Sequence, residues 1–452
     1  MPEQWNPLRL TADRRTEHLF AIVALAAYAA LTLWVGLHHE PWRDEADAWL
    51  LVRDAPIDFI LSWTHNAGTP ALWYVALKPL VRLDLPYSSM TILNLAISWA
   101  AAAVVLLFAP FTRLTKLLIL GSYFFGYEYS IIARSYSLTI LLLFVALAAM
   151  DKRPLLFAVA IAALFNTNVH GAVMAAVLGL MALRRAEARR YTLVMAGGAL
   201  IAFLQLYPSG AIGTVRHLRL YAIPIAIGDA FLPGAPIMIS VVAGAAVLIA
   251  IAVATRSAFL LITVAALLAL YTFVWFGGLR HSGLILLVTL AAVWLARDVR
   301  SPAAALLLNL TLLGSAAYTL VNASYDVRFA FSGSKEMAQF IDHRFDGYAI
   351  AAHNAFATEA LLPYLPGRQF WYAGEGRFGT YLNWNGPQAE GAQIPYDAAV
   401  RSARKRFGRE KWLLLVNSPM PDPEKRGFRL LHATSVTVFR HLDERYWLYA
   451  PQ

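Results

Sequence analysis

Apolar residues run through this chain in long blocks separated by short polar clusters, the first block opening near His18. Crossing a bilayer takes about 20 mainly apolar residues, fewer where the bilayer thins or protein shields the segment. On that measure the pattern predicts spans at 18–37, 89–109, 115–127, 132–150, 154–167, 169–183, 191–207, 235–254, 258–276, 282–296 and 302–321. The expected fold is an α-helical polytopic membrane protein of about eleven transmembrane helices. Residues 1–324 form this region, with a long first outer loop at 38–88. A polar stretch holding Arg9, Arg14 and Arg15 precedes the first block, and no clean Ala-x-Ala-type site follows it, so that block is expected to be retained as a helix.

After Ser324 the long apolar runs stop, and residues 325–452 gain charge, Gly and Pro. A small soluble α/β domain is expected there. Ser334–Phe340 resembles a capped amphipathic helix entry, with Ser332 or Ser334 as N-cap. Tyr348–Ala352, Trp412–Val416 and Val436–Phe439 read as strands, and a basic helix is expected near Ala398–Arg406. No internal repeat or low-complexity segment is evident.

Composition supports lipid as the solvent. Of the 452 residues 59% are hydrophobic and 15% charged, against about 25% charged in soluble proteins. A net charge of +10 would suit nucleic acid if the cations formed one patch. They lie instead in short clusters between apolar blocks: Arg113 and Lys116; Lys152 and Arg153; Arg184, Arg185, Arg189 and Arg190; Arg256; Arg297 and Arg300. The positive-inside rule places these and the N-terminus in the cytoplasm. The C-terminal domain is then periplasmic or extracellular, as expected in a bacterial inner (plasma) membrane protein, and nucleic acid is not an expected partner. Arg43, Arg53, Lys78 and Arg82 in the first outer loop run against the rule, and phosphate binding is one explanation. Cysteine is absent, which excludes disulfides, thiol chemistry and cysteine–zinc sites.

The candidate chemistry gathers at outer junctions. The first loop begins His38-His39-Glu40-Pro41-Trp42-Arg43-Asp44-Glu45-Ala46-Asp47-Ala48-Trp49. On a helix the adjacent Asp44 and Glu45 diverge by about 100°, so one faces a reaction while the other orients it or pairs with Arg43. A solvated acidic loop is the plain alternative. Trp42 and Trp49 are expected to anchor the segment at headgroup level. The stretch from His65 through Pro70 to Tyr74 leads to Lys78 and Arg82, whose plain role is snorkelling to headgroups. Arg134, within Tyr127–Leu138, is costly at a membrane junction unless paired or hydrated, and Glu128 is placed to neutralise it. Asn166, Asn168 and His170 mark a further outer junction, and Arg280-His281 another.

These residues resemble a family. The Trp-x-Asp-Glu element after the first helix, the His-to-Pro-x-Leu-Trp-Tyr segment and Ala133-Arg134-Ser135-Tyr136-Ser137-Leu138 are similar to elements of GT-C fold glycosyltransferases. More narrowly they resemble family 39, the protein O-mannosyltransferase and aminoarabinose-transferase type, over residues 18–321. The chain departs from many relatives in having His65-Asn66-Ala67-Gly68-Thr69-Pro70 where they have His-Pro-Pro. The resemblance implies inverting transfer of a sugar from a polyprenyl-phosphate donor to an acceptor hydroxyl on a glycan, lipid or protein. It implies Asp44 as general base, with Glu45 beside it. Arg134 and Arg280 are the candidates for the phosphate, Lys78 is a third, and His65, Tyr136, His170 and His281 fall at substrate-binding positions. No cofactor is required by the close relatives, and some distant ones hold a divalent ion with first-loop carboxylates.

Two other classes compete. A lipid or solute transporter would place polar residues and broken helices at the bilayer midplane, often in inverted repeats; here they cluster at helix ends. A non-catalytic GT-C-like assembly partner would not need the Asp44-Glu45 pair.

Overall fold

The computed structural model describes residues 14–207, 218–297, 301–383 and 394–452. Arg9, Arg300 and the side chain of Asn66 lie outside the described residues. The helices before the sheet are α1 (Arg14–His38), α2 (Arg43–Asp54), α3 (Ile57–Ala67), α4 (Leu72–Arg82), α5 (Ser89–Phe108), α6 (Arg113–Gly121), α7 (Tyr136–Ala149) and α8 (Pro154–Phe165). They continue with α9 (Val169–Ala182), α10 (Ala186–Arg189), α11 (Thr192–Leu206), α12 (Ala222–Phe231), α13 (Ile237–Thr255), α14 (Ala258–Phe273), α15 (Leu279–Ala296) and α16 (Pro302–Arg328).

Every predicted apolar block contains one of these helices. Among the described residues α1, α5, α13, α15 and α16 are long and apolar enough to cross a membrane, and six shorter apolar helices accompany them. α15 lies at the centre of the bundle, with Leu284 through Ala292 buried. α13 instead turns Ile239, Val242, Ile249 and Val253 outward, an apolar exterior suited to lipid.

Local departures from the predicted blocks shape the end of the bundle beside the first loop. The 115–127 block breaks after Gly121, and Phe124–Glu128 forms a wide π turn. Gly126 within it sits so close to α16 that a Cβ would lie 3.0 Å from Thr319 Cγ2. Residues 129–135 form an irregular turn, which takes in the first four residues of the span predicted at 132–150. Asn94 stabilises that turn by donating to the carbonyls of Ser130 (2.8 Å), Tyr129 (3.2 Å) and Ile132 (3.4 Å). α12 was not predicted, because its ten-residue apolar run is shorter than a span. It packs closely on α13, where a Cβ on Gly244 would collide with the Ile227 carbonyl.

The last part of the chain carries α17 (Ser334–Arg344), β1 (Ala349–Ala352), α18 (Ala355–Thr358), β2 (Phe370–Tyr372), β3 (Arg377–Gly379), α19 (Tyr396–Phe407), β4 (Trp412–Val416), β5 (Phe428–Ala433) and β6 (Trp447–Pro451). They form one six-stranded sheet ordered β3-β2-β1-β4-β6-β5. The β2-β1-β4 centre is parallel and the other pairs are antiparallel. Strand alternation gives the sheet two apolar faces. Ala351, Leu414 and Val416 pack against Ala403 and Phe407 of α19. Ile350, Leu413, Leu415 and Leu448 share a core with Met337 of α17 and with Trp49, Leu50, Trp73 and Leu77 of the first loop.

That shared core corrects several expectations. Trp42 and Trp49 are only 7% and 3% exposed, so neither anchors at a headgroup surface; the sheet region covers them, and Trp42 stacks on His441 at 3.7 Å. Val436–Phe439 is not a strand and makes only an isolated bridge, Ala330 to Val438. α16 continues past residue 324 to Arg328, so the compositional boundary falls inside a helix. The N-cap of α17 is Gly333, with Ser332 Oγ accepting from the Ser334 N–H. Glu40 of the first loop accepts from the Lys335 N–H at 2.8 Å, placing a carboxylate at that helix N-terminus.

Arg440 ties the sheet region to the helical bundle. Arg440 donates to Glu128 Oε2 at 3.0 Å and to Tyr123 Oη at 2.7 Å. Glu128 is therefore paired with Arg440 and not with Arg134. Arg440→Met should leave the largely buried Glu128 charge uncompensated and cost about 3 kcal/mol, read as a lower unfolding midpoint in detergent. An unchanged midpoint would show that the Arg440–Glu128 pair does not hold the two regions together.

Candidate functional site

α2 begins immediately after the loop that leaves α1, and it fixes the acidic residues. Glu45 occupies its N3 position and accepts from the Trp42 N–H at 3.2 Å, reaching back as in a capping box. Its other oxygen accepts from the Ala133 N–H at 2.7 Å. Glu45 is fully buried and also receives His39 Nε2 at 3.1 Å. The Asp44-Glu45 pair is thus split: Glu45 ties the loop to the 129–135 turn, and Asp44 faces elsewhere.

His39 extends this tie. Its Nδ1 lies 2.9 Å from Asp326 Oδ2 on α16, which also accepts from Tyr127 Oη at 2.8 Å. Burial alone would drive the imidazole to neutrality, but the charges of Asp326 and Glu45 override it and push its pKa up to about 10. Both ring nitrogens then donate, as only an imidazolium can.

Asp44 receives guanidinium groups from two distant parts of the bundle. Arg134 Nη1, from the turn before α7, and Arg280 Nη1, from the first turn of α15, both donate to Asp44 Oδ2, the latter at 2.6 Å. Burial opposes the Asp44 charge, but Arg134, Arg280 and Arg43 together hold its carboxyl well below the usual range. The side chains of Asp44, Arg134 and Arg280 keep 14%, 23% and 25% exposure, so the cluster is partly exposed, whereas Glu45 is not. Arg280 also lies over the Trp42 ring, 5.7 Å from its centroid.

Aromatic and imidazole groups adjoin it. Tyr129 donates to the Arg280 carbonyl and stacks on Tyr136 at 5.1 Å. The His170 and His281 rings lie 4.3 Å apart, and His281 stacks on Tyr271 at 5.7 Å. His281 Nδ1 accepts from the Gly277 N–H at 2.8 Å. Both His170 ring nitrogens are buried without a hydrogen-bond partner among the described residues.

Asp44, Arg134, Arg280, Tyr136, His170 and His281 are therefore gathered at one end of the bundle. His65 and Lys78 are not. His65 meets the Tyr207 carbonyl at 2.7 Å, and Lys78 donates to the Val52 carbonyl at 2.8 Å. Asn168 caps α9 through the Gly171 N–H, and Asn166 donates to the Ala162 and Gly198 carbonyls, so both are structural. Arg43 pairs with Asp443 and approaches Glu444 instead of Glu45. Among the described residues no three His, Asp or Glu side chains are grouped to hold a metal ion.

The sheet region adds residues that the local sequence pattern did not single out. His441 stacks on Trp42, and Glu444 accepts from the Arg43 N–H. Glu359 begins a 3-10 turn packed against α2. Nothing in the spacing around these residues signals a site, since their partners lie some 300–400 positions earlier.

No family model, curated protein or solved structure matches the chain.

The His39 tie has a pH signature. A raised folded-state pKa gives stability that is fully present below the unfolded value, about 6.5, and is lost as pH rises through about 10. The unfolding midpoint of the intact protein should therefore decline above pH 7 as it approaches pH 10. His39→Gln should lower the midpoint at pH 7 and flatten that decline. A wild-type midpoint constant from pH 7 to 10 would contradict the charged imidazole.

Proposed function

We propose that the protein is a membrane glycosyltransferase that moves a sugar from a polyprenyl-phosphate donor to an acceptor hydroxyl, with Asp44 as general base. The observation that carries the reading is the accessible Asp44 carboxylate held by two guanidinium groups, Arg134 and Arg280. A lipid phosphate is the natural competitor for those arginines, because guanidinium binds carboxylate and phosphate with the same fork of donors. The GT-C resemblance supplies the reaction class. On this reading about eleven helices cross the membrane, and the basic loops face the cytoplasm, leaving the site and the sheet region outside.

The exchange resolves a difficulty in the chemistry. A carboxylate bound to two arginines is a weak base. When the donor phosphate takes up Arg134 and Arg280, Asp44 loses most of what depresses its pKa and regains basicity. It then accepts the acceptor hydroxyl's proton as that oxygen bonds to the anomeric carbon. The bond from that carbon to the phosphate oxygen breaks on the opposite face, inverting the centre. The electron pair departs with the phosphate, whose charge the two guanidinium groups meet.

Two predictions test this, each read as polyprenyl phosphate release from glycosylated donors by the purified protein. Asp44→Asn should reduce turnover by about 10²–10⁴ while the protein stays folded. Glu45→Gln should chiefly lower stability, since Glu45 holds the His39 and Ala133 contacts. In wild type an acid limb should appear in kcat but not in kcat/KM, because Asp44 regains an ordinary pKa only in the complex. A folded Asp44→Asn protein with undiminished turnover removes Asp44 from the chemistry.

The second concerns the cations. Arg134→Ala or Arg280→Ala should weaken donor use by about 1.5–3 kcal/mol, and Lys152→Ala should have no such effect. Equal effects from all three would reduce the arginines to packing residues.

A further inference from the structure

Among the described residues two side chains hold the Arg280 guanidinium by hydrogen bond, ion pair or ring contact. One is the Asp44 carboxylate at 2.6 Å, and the other is Trp42, whose ring centroid lies 5.7 Å away. When a phosphate displaces Asp44, as the exchange above requires, Trp42 is the one left to aim the cation. A guanidinium within about 6 Å of an indole centroid is attracted to the ring face, most strongly where water is excluded. Trp42 is a buried residue.

No polar contact orients the indole. Its Nε1 is buried without a hydrogen-bond partner among the described residues, so ring contacts set its angle. His441 stacks flat on it, with centroids 3.7 Å apart and planes 13° from parallel, and Phe331 meets it edge-on at 6.3 Å. Phe331 also lies 5.0 Å from the His441 ring, and the three rings form one packed group.

His441 is fixed in turn by the residues that follow it. Leu442–Glu444 make a short 3-10 turn. On the sheet side Asn417, just after β4, donates to the Asp443 carbonyl at 3.1 Å, and the Gly333 N–H donates to the Glu444 carbonyl at 2.9 Å. On the bundle side Glu444 accepts from the Arg43 N–H at 3.2 Å, and Asp443 pairs with the Arg43 side chain. Residues 441, 443 and 444 thus clamp Trp42 and Arg43, immediately before Asp44.

We propose that His441 is a positioning residue for the phosphate site: stacked on Trp42, it holds the indole face that aims Arg280 at the donor phosphate. The C-terminal sheet region then sets donor affinity through Trp42. This rests on Arg280 as a ligand of the donor phosphate, and the test separates the two. A stack that only closed the core would matter equally whether or not residue 280 is an arginine.

The experiment measures undecaprenyl phosphate binding by full-length protein in lipid nanodiscs, with the unfolding midpoint of each variant alongside. Arg280→Ala should weaken binding. His441→Leu keeps most of the volume, removes the flat ring and should weaken binding about three- to tenfold. His441→Phe restores a flat ring and should bind within about twofold of wild type. In the Arg280→Ala background His441→Leu should cost nothing further, because the relay has lost its end. Should His441→Leu prove unstable, the same cycle is run with Trp42→Phe, which shrinks the face under Arg280. That variant should lose about threefold with Arg280 present and nothing without it. An equal loss with and without Arg280, or no loss in either background, overturns the relay and leaves Arg280 as the phosphate ligand. A folded His441→Phe protein that binds as weakly as His441→Leu also overturns the relay. Undiminished binding by Arg280→Ala overturns the phosphate reading of Arg280 and the relay with it.

Discussion

Charge removed from water must meet an opposite charge or be neutralised by gaining or losing a proton, and the arrangement of the end of the bundle beside the first loop follows from this constraint. The first loop brings His39, Glu40, Arg43, Asp44, Glu45 and Asp47 into a few turns of backbone, and the sheet region then closes over them. His39 is satisfied by Glu45 and Asp326, Asp44 by Arg134 and Arg280, and Arg43 by Asp443. Arg440 and Glu128 settle a further pair between sheet and bundle. These ties connect α1, α2, α7, α15, α16 and the sheet through a handful of side chains. On the proposed reading, their geometry fixes where an incoming phosphate would find its cations. Removing one partner from such a set usually costs more than the pair contributes, because the other charge is stranded.

Much of the helical scaffold was legible because apolar block length is a local property. The eleven blocks each hold a helix, although the structure turns the end of one into a π turn and the start of the next into an irregular loop. Arg134 was legible as a candidate from the expense of an arginine at a membrane junction, and Arg280 from its place at a further junction and from the family resemblance. The divergence of Asp44 and Glu45 followed from helix geometry; which of them is withdrawn from a ligand did not, since that depends on the Ala133 N–H and His39 meeting Glu45. Lys78 and His65 illustrate the converse. The family resemblance offered them as substrate-binding candidates, but backbone carbonyls claim them.

What escaped the sequence reading came from long-range packing. Trp42 and Trp49 have the composition of interfacial anchors and became core residues because the sheet covers them. Val436–Phe439 has strand-forming residues without a neighbouring strand to pair with, and its backbone meets Ala330 instead. Glu359, His441 and Arg440 are ordinary residues in their own neighbourhoods and acquire meaning only across several hundred positions.

The shared core of the first loop and the sheet also bears on biogenesis. α2 and α4 leave the ribosome roughly 300 residues before the strands that bury Trp49, Trp73 and Leu77. Domains otherwise tend to fold from the N-terminus as they are made. Here the apolar face of the loop stays uncovered until the strands have been made, so the loop and the sheet complete one core together although some 300 residues separate them.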